Sequence, residues 1–383
     1  MGTSILGANE ADLRRDRTSV KWLAYPPDVL PLWVAEMDCS PCPAVVEAVT
    51  AAVSRGDTGY GWAPRYAEAV ARYAGTAWGW DVAPSSMLVV ADVMIGASEV
   101  LRMLTDERGA VVVSPPVYDS FFGFVEAIGR RRVDAPLGAD GRLDPEALRA
   151  AFREATAGGG RVGYLLCNPQ NPTGAVHTPD ELATLAALAR EFGVRVVADE
   201  IHAPLVHDGG PRFTPYLTVP GAEDAFSVFS PSKGWNLAGL KSAVVVAGRQ
   251  AREDLARMPE VHTHGSSHVG EIAHVAAMRD GLEWHARLRT ELTANRDLVG
   301  RLLAEHLPQV RWVSPGATYL AWLDCRALGL GDDPAAVFRE RGRVALGSGP
   351  RYGAEAGRGF VRLNFATSPQ ILEEAVRRMA SIL

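Results

Sequence analysis

The sequence has little of what marks secreted, membrane or fibrous proteins. It contains only four cysteines among 383 residues, too few for the disulfide framework of a small secreted domain. No apolar run approaches the ~18 residues needed to span a bilayer. The polar stretch from Met1 to Arg17 lacks the apolar core of a secretory signal. These absences predict a soluble cytoplasmic protein without a membrane partner.

An excess of positive charge is also missing. The formal net charge is −6, from 39 basic and 45 acidic residues, which argues against a nucleic-acid partner. The hydrophobic set makes up 47% of the chain, which excludes a disordered protein. Because 383 residues exceed the size at which a single core stops growing, we expect two domains and a globular enzyme.

The middle of the chain alternates short β-branched runs with helical patterns from about Met87 to Gly248. This alternation is typical of a mostly parallel sheet in an α/β domain. Its clearest unit is a helix with a capping box at Thr178 and Glu181, ended by Gly193. The buried strand that follows ends on Asp199.

Four predicted strands end in polar or aromatic residues. In open α/β sheets ligands bind outside the carboxyl ends of the strands, so we expect one site assembled from these distant segments. The four endings are Ser114–Tyr118, Cys167–Gly174, Asp199–Glu200 and Ser230–Lys233.

Lys233 and Asp199 point to a particular chemistry. Lys233 follows two serines and precedes Lys241; hydroxyls and a cation suit a phosphate, and the lysine between them suits a covalent link to a carbonyl. A carboxylate that closes a buried strand needs a partner. Pyridoxal phosphate requires such a carboxylate against its pyridine nitrogen. Asn171 could bond its phenolic oxygen and Tyr118 could stack on its ring.

Three motifs carry a family resemblance over about residues 16–379. They are Asn-Pro-Gln-Asn-Pro-Thr-Gly at 168–174, Asp-Glu-Ile-His at 199–202 and Ser-Pro-Ser-Lys-Gly-Trp-Asn-Leu-Ala-Gly-Leu at 230–240. They resemble the fold-type I pyridoxal-phosphate enzymes. With Pro31–Asp38, the chain looks most like the MalY/PatB-type cystathionine β-lyases, or C–S lyases, of the class I/II aminotransferase superfamily, in their actinobacterial branch.

The resemblance implies a role for each matching residue. Lys233 would form the covalent link to the cofactor and move the α-proton, with Asp199 and Tyr118 also catalytic. The substrate would be held by Arg362 at its α-carboxylate, by Asn171 and by Trp33. No metal is implied. The implied cofactor contacts are Lys233, Asp199, Asn171, His202, Tyr118, Ser230, Ser232, Lys241, Val93, Met94 and, from the neighbouring subunit, Tyr60.

Within this group Asp92 replaces a glycine, and a carboxylate there would repel the phosphate unless it turned away. Lys241 stands where many relatives have arginine, which leaves a point charge in place of a bidentate contact.

The resemblance also implies an architecture: an α/β fold-type I transferase with a mostly parallel central sheet, helices on both faces and a smaller α+β domain. We expect residues 48–282 to form the large cofactor-binding domain. Residues 1–47 and 283–383 would form the small domain that carries Arg362. A homodimer with shared active sites is expected, since Tyr60 would reach the neighbouring site.

The implied reaction is α,β-elimination of a thiol from L-cystathionine or a related cysteine S-conjugate, which yields pyruvate and ammonia. Three alternatives stay open. The protein could be an aminotransferase of an amino acid. It could act in secondary metabolism on a bulky cysteine S-conjugate, by elimination or by decarboxylative deamination, with Trp33, Trp62 and Trp235 lining the pocket. A regulator that kept the fold is disfavoured by Lys233 and its partners.

Two further patterns resemble metal or redox sites. Cys39 and Cys42 form a Cys-x-x-Cys, but no second pair completes a zinc site, so we interpret them as reduced structural residues. His262, His264 and His268 are closely spaced without an acid or cysteine at ligand spacing. We expect these histidines to line the mouth of the substrate pocket.

Overall fold

A computed structural model describes residues 4–383, and these form thirteen α-helices and twelve β-strands. In chain order the helices α1 to α13 are Glu10–Asp16, Val20–Leu23, Pro43–Ser54, Ala63–Trp78, Val93–Leu104, Ser120–Ala127, Pro145–Thr156, Pro179–Phe192, Arg252–Leu255, His268–Asp280, Leu282–His306, Pro334–Glu340 and Pro369–Ala380. The strands β1 to β12 are Leu30–Leu32, Met87–Val90, Ala110–Val113, Arg131–Asp134, Val162–Cys167, Arg195–Asp199, Phe226–Phe229, Ala243–Ala247, Arg311–Trp312, Leu320–Asp324, Val344–Ser348 and Phe360–Asn364. Over this described range, no helix combines the length and the apolar composition that crossing a membrane requires.

A seven-stranded sheet forms the centre of the molecule, in the order β2-β8-β7-β6-β5-β3-β4. Only β8 runs antiparallel to its neighbours β2 and β7; the other neighbouring pairs are parallel. The predicted mostly parallel sheet is therefore confirmed.

Both faces of this sheet are covered, because alternate residues of each strand enter different cores. In β3, Val111 and Val113 pack with residues of α5 and α6. Ala110 and Val112 face the other way and pack with α7 and α8. Burial on both faces explains why this strand is a continuous run of apolar residues instead of an alternating pattern.

The helix predicted after Thr178 is confirmed as α8. The Thr178 hydroxyl accepts a hydrogen bond from the Glu181 amide, and the Glu181 side chain accepts one from the Thr178 amide. Gly193 ends the helix at φ +65°, a left-handed conformation that glycine adopts without strain.

A second, five-stranded sheet follows the order β1-β11-β12-β10-β9. Its first strand comes from the N-terminal part of the chain and pairs in parallel with β11, as expected for the segment near Pro31. Strand β10 begins only at Leu320, because Ala317 pairs with Val206 and Thr318 adopts φ +71°. The strands of the two sheets lie on either side of the predicted domain division, which itself stays a prediction.

A buried ion pair anchors the residues that follow β1. The Lys21 ammonium lies 2.8 Å from a carboxylate oxygen of Asp38, and both side chains are almost wholly buried. Trp22 donates its indole N–H to the other oxygen of Asp38 at 2.9 Å. The Lys21 ammonium also donates to the Glu36 carbonyl at 3.0 Å. Together these contacts hold residues 33–38, which we call the N-terminal segment, although it has no regular secondary structure.

Breaking this pair should destabilise the fold. We expect Lys21→Met to lower the free energy of unfolding by about 3–5 kcal/mol, because the Asp38 carboxylate would remain buried without a counter-ion. Arg15→Met is the matched control, since Arg15 pairs with Asp12 at the surface, where solvent screens the charges, and this change should leave the free energy of unfolding nearly unaltered. Urea unfolding followed by circular dichroism measures both. Equal losses in the two variants would contradict the argument.

Candidate active site

A cavity of about 640 Å³ lies at the carboxyl edge of the seven-stranded sheet, against the five-stranded sheet. Twelve of the thirteen residues predicted for the site line it, and Tyr60 does not. The twelve are Trp33, Val93, Met94, Tyr118, Asn171, Asp199, His202, Ser230, Ser232, Lys233, Lys241 and Arg362.

The order of the strands explains how distant residues meet in this cavity. Strands β7, β6, β5 and β3 are successive neighbours in the sheet. Lys233 follows β7, Asp199 ends β6, Asn171 follows β5 and Tyr118 follows β3. Because the four strands are parallel, their carboxyl ends meet at one edge. The structure therefore brings the four predicted strand endings together.

The turn that presents Asn171 depends on a glycine. Gly174 has φ +71°, and a Cβ atom at this position would collide with Pro315. The Asn171 amide donates to the Cys167 sulfur at 3.3 Å, across the turn. The close approach of Gly174 to Pro315 joins the loop after β5 to the loop before β10.

Lys233 is half-buried, and its environment disfavours the charged amine. Its ammonium donates to the Ala35 carbonyl at 2.8 Å. Burial lowers the pKa of Lys233 to about 8, helped by the positive charge of Arg362 and opposed by the carboxylate of Asp199. A lysine with this pKa supplies a neutral, nucleophilic amine near neutral pH.

Asp199 is a buried carboxylate that requires a cationic partner. Burial raises the pKa of Asp199 to about 7, against the opposing effects of the Ile201 amide and the charge of Lys233. The Ile201 amide donates to it at 3.1 Å. A protonated pyridine nitrogen is the kind of cation that would keep this carboxylate ionised.

Arg362 lies on β12 and joins three parts of the chain. One terminal nitrogen donates to the Asn171 side-chain oxygen at 3.1 Å, and the other donates to the Trp33 carbonyl at 2.9 Å. The guanidinium lies 4.8 Å from the centroid of the Tyr352 ring. Only 4% of Arg362 is exposed, and its Nε has no hydrogen-bond partner within residues 4–383. A guanidinium fixed in this way could bind a substrate carboxylate.

His202 lies beside the buried charges as a neutral imidazole. Burial lowers the pKa of His202 to about 3, and the charges of Lys233 and Arg362 lower it further. Its ring meets that of Tyr319 edge to face at 6.1 Å. Among the described residues, none forms a hydrogen bond with its Nδ1, so this nitrogen is available to a ligand.

The predicted phosphate end of the cavity contains Asp92, whose carboxylate was expected to repel a phosphate unless it turned away. Asp92 caps α5 by accepting from the Ile95 amide at 2.9 Å, and its other oxygen lies 2.9 Å from the Lys241 ammonium. These contacts reduce the expected repulsion of a phosphate, because the positive end of α5 and the Lys241 ammonium partly compensate the negative charge of Asp92. The Ser230 hydroxyl donates to the Ser242 carbonyl at 2.8 Å, so Ser230 also shapes the loop.

The N-terminal segment forms one wall of the cavity through residues that sequence reasoning missed. Asn364 donates to the carbonyls of Val34 and Glu36, both at 2.7 Å. Tyr319 donates to the Ala35 carbonyl at 3.0 Å. Asn236 bonds both the amide and the carbonyl of Met37 at 2.9 Å. No local pattern identifies these supporting residues, because their partners lie far away in sequence.

The expectation that the clustered histidines line the pocket mouth is wrong for this chain. His262 pairs with Glu99, His264 with Glu260 and His268 with Asp57, outside the cavity lining. Each imidazole bonds a separate acid, so the three do not converge.

Two of the three tryptophans considered for the pocket lie elsewhere. Trp235 is 1% exposed and stacks on His285 with ring centroids 4.2 Å apart. Trp62 is 72% exposed and, like Trp235, is not part of the cavity lining.

Cys39 and Cys42 are buried free thiols, and burial raises the pKa of both, to about 12 for Cys39. Such thiols are unreactive.

The donors of the cavity fit pyridoxal phosphate. Lys233 could bind its aldehyde carbon, and Asp199 could pair with its ring nitrogen. Asn171 and His202 could form hydrogen bonds with its polar ring edge. At the other end of the cavity, Lys241 offers the cation, and Val93 and Met94 at the start of α5 offer the backbone amides, that a phosphate requires.

Comparison with known proteins supports this interpretation. The profile of the family "Aminotransferase class I and II" matches residues 27–379. The chain belongs to this family. It is 53% identical to a Mycobacterium leprae protein provisionally named cystathionine beta-lyase, over 96% of this chain and 95% of that protein. It is 32% identical to the cystathionine beta-lyase of Corynebacterium glutamicum, covering 98% and 99%.

A solved structure shows the same fold. A Corynebacterium diphtheriae protein provisionally named PLP-dependent beta-cystathionase superimposes with a TM-score of 0.91 at 34% identity. The match covers 99% of this chain and 98% of that one. The expected fold-type I architecture is therefore confirmed.

The depressed pKa of Lys233 predicts how its reactivity depends on pH. Only the neutral amine attacks an aldehyde, so the rate at which cofactor-free protein binds pyridoxal phosphate should rise with pH and level off above about 8. Asp199→Asn should move this midpoint down, since it removes a charge that favours the ammonium, and Arg362→Gln should move it up. Stopped-flow absorbance between pH 6 and pH 10 measures the midpoint. A midpoint near the ordinary value of about 10.4, or equal shifts in both variants, would contradict the assignment.

Proposed function

We propose that this protein is a pyridoxal-phosphate-dependent C–S β-lyase, which cleaves L-cystathionine or a related cysteine S-conjugate to a thiol, pyruvate and ammonia. The observation that carries the proposal is the convergence of Lys233, Asp199 and Arg362 in one cavity. The names of the relatives in Mycobacterium and Corynebacterium support the lyase outcome over the other reactions of the family.

Each residue has a definite task in this reaction. Arg362 and Asn171 hold the α-carboxylate, which fixes the Cα–H bond in reach of Lys233. The neutral Lys233 amine removes that proton. Pyridoxal phosphate, when bound, would supply the electron sink for the charge that develops at Cα, and Asp199 would keep the ring nitrogen protonated. The Cβ–S bond then breaks, the electron pair leaves with sulfur as a thiolate, and water converts the remaining enamine to pyruvate and ammonium.

The same proton removal could lead to transamination, so the outcome must be measured. We expect the purified enzyme to release thiol and pyruvate from L-cystathionine over many turnovers without any 2-oxo acid. Activity that depends on an added 2-oxo acid would instead make the protein an aminotransferase. Carbon dioxide released with the nitrogen would indicate decarboxylative deamination.

The role of Lys233 can be tested separately because the sequence holds only three lysines, Lys21, Lys233 and Lys241. Borohydride reduction followed by peptide mapping should find the cofactor on Lys233. Lys233→Ala should abolish both the adduct and thiol release, whereas Lys241→Arg should retain the adduct.

We further propose a homodimer in which Tyr60 reaches the partner's site, in a cytoplasmic protein. Tyr60 is fully exposed and Trp62 is 72% exposed, and neither lines the cavity of its own chain. Two neighbouring exposed aromatic rings are typical of a surface that another protein covers.

Mixed dimers test this arrangement. Tyr60→Ala and Lys233→Ala should each lose most activity alone. When both variants are co-expressed with different tags and the mixed dimer is isolated, about half of the wild-type activity should return, because one site combines Lys233 with an intact Tyr60 from the other subunit. A monomer in sedimentation equilibrium, or no recovery in the mixed dimer, would contradict the proposal.

A further inference from the structure

The cavity extends beyond the catalytic residues to a second set of charges. One wall runs outward from Arg362 through Trp33, whose carbonyl Arg362 binds. The Trp33 ring meets the Tyr25 ring edge to face, with centroids 5.7 Å apart. The Arg339 guanidinium then lies 5.9 Å from the Tyr25 centroid. Arg339, Tyr25 and Trp33 all line the cavity. A continuous aromatic wall thus leads from the arginine at the catalytic end to a second arginine.

Arg339 is a charge without a counter-ion. It is half-buried, and within residues 4–383 its guanidinium makes no ion pair or hydrogen bond, only the contact with Tyr25. Arg351, which also lines the cavity, differs from Arg339 because it has a counter-ion, Asp119, at 2.8 Å. A partly desolvated arginine beside an aromatic ring is a suitable receptor for a carboxylate.

A negative charge without a partner lies on the same helix segment. Asp333 precedes α12, which carries Arg339, and lines the same cavity. One of its carboxylate oxygens is shielded from solvent and accepts no hydrogen bond from any described residue. The Asp333 side chain does not cap α12. Burying such an oxygen without a donor costs free energy, which a ligand ammonium would recover.

We propose that Arg339 and Asp333 determine specificity by binding the distal amino-acid group of the substrate, Arg339 its carboxylate and Asp333 its ammonium. This rests on the proposed lyase function. A substrate held at Arg362 with its Cα near Lys233 extends its sulfur substituent along the cavity. The substrate class is then a cysteine S-conjugate whose leaving thiol is itself an α-amino acid, as in cystathionine.

Four substrates that differ in their distal charges test the Arg339 contact and the Asp333 contact separately. L-cystathionine has both distal charges. S-(3-carboxypropyl)-L-cysteine lacks the distal amine, S-(3-aminopropyl)-L-cysteine lacks the distal carboxylate, and S-propyl-L-cysteine lacks both. Loss of one charge-assisted hydrogen bond should lower kcat/KM by roughly 10- to 100-fold.

Arg339→Gln should therefore lower kcat/KM for cystathionine and the carboxypropyl compound by that factor, mainly through KM, and change the other two less than about twofold. Asp333→Asn should affect only cystathionine and the aminopropyl compound. Arg339→Lys keeps the charge and should retain most of the discrimination, which separates a charge effect from a folding defect.

Two arginines serve as matched controls. Arg351→Gln removes a charge that Asp119 already compensates, and Arg341→Gln removes one that bonds the Ile382 carbonyl outside the cavity. Both should change the four values by less than about threefold. Equal losses for all four substrates in Arg339→Gln, no loss for cystathionine, or a larger selective loss in Arg351→Gln would overturn the proposal.

Binding distinguishes failure of this proposal from failure of the lyase assignment. The change in cofactor absorbance on adding each compound reports binding whether or not elimination follows. If wild-type enzyme releases no thiol, the lyase function fails, and the selective loss of binding in Arg339→Gln still tests the distal contact. If wild-type enzyme eliminates all four compounds with similar KM, the distal contact fails while the lyase function stands.

Discussion

The buried guanidinium of Arg362 is the interaction on which the site depends. It bonds Asn171 in the loop after β5 and Trp33 in the N-terminal segment, and it lies over Tyr352. Removing an arginine from water is costly unless its donors find acceptors. Both acceptors come from segments outside the strand that carries Arg362. The cavity can therefore form only when the two sheets and the N-terminal segment have come together.

The same constraint explains why a segment without regular structure can form a wall of the cavity. Its carbonyls accept hydrogen bonds from Arg362, Asn364, Lys233 and Tyr319, and the Lys21–Asp38 pair holds its far end. Side chains thus do for residues 33–38 what neighbouring strands do within a sheet. One of these donors is the reactive lysine itself, so the wall and the chemistry are physically coupled.

Local patterns predicted the elements that depend on local physics. The capping residues and terminal glycine of α8 set its ends, and the predicted strand endings that begin at Ser114 and Ser230 directly follow β3 and β7. The start of β10 could not be predicted in this way, because the positive φ of Thr318 and the pairing of Ala317 with Val206 have no local signature. The histidines near His264 were expected at the pocket mouth and lie outside the cavity lining, and Trp235, considered for the pocket only under one alternative function, packs in the core. Their side-chain directions follow from packing, which residue type alone does not specify.

By itself the sequence determined the chemistry: a lysine, a strand-ending carboxylate and an arginine of the types that one cofactor requires, each at the end of a recognisable strand or within one. Only the tertiary structure decided which charges are compensated. Asp92 meets Lys241 and Asp119 meets Arg351, whereas Arg339 and Asp333 meet no ion-pair partner within the described part of the chain. The reason is physical. Ion pairing depends on distances of a few ångströms between residues more than a hundred positions apart, and the packing of two sheets sets those distances.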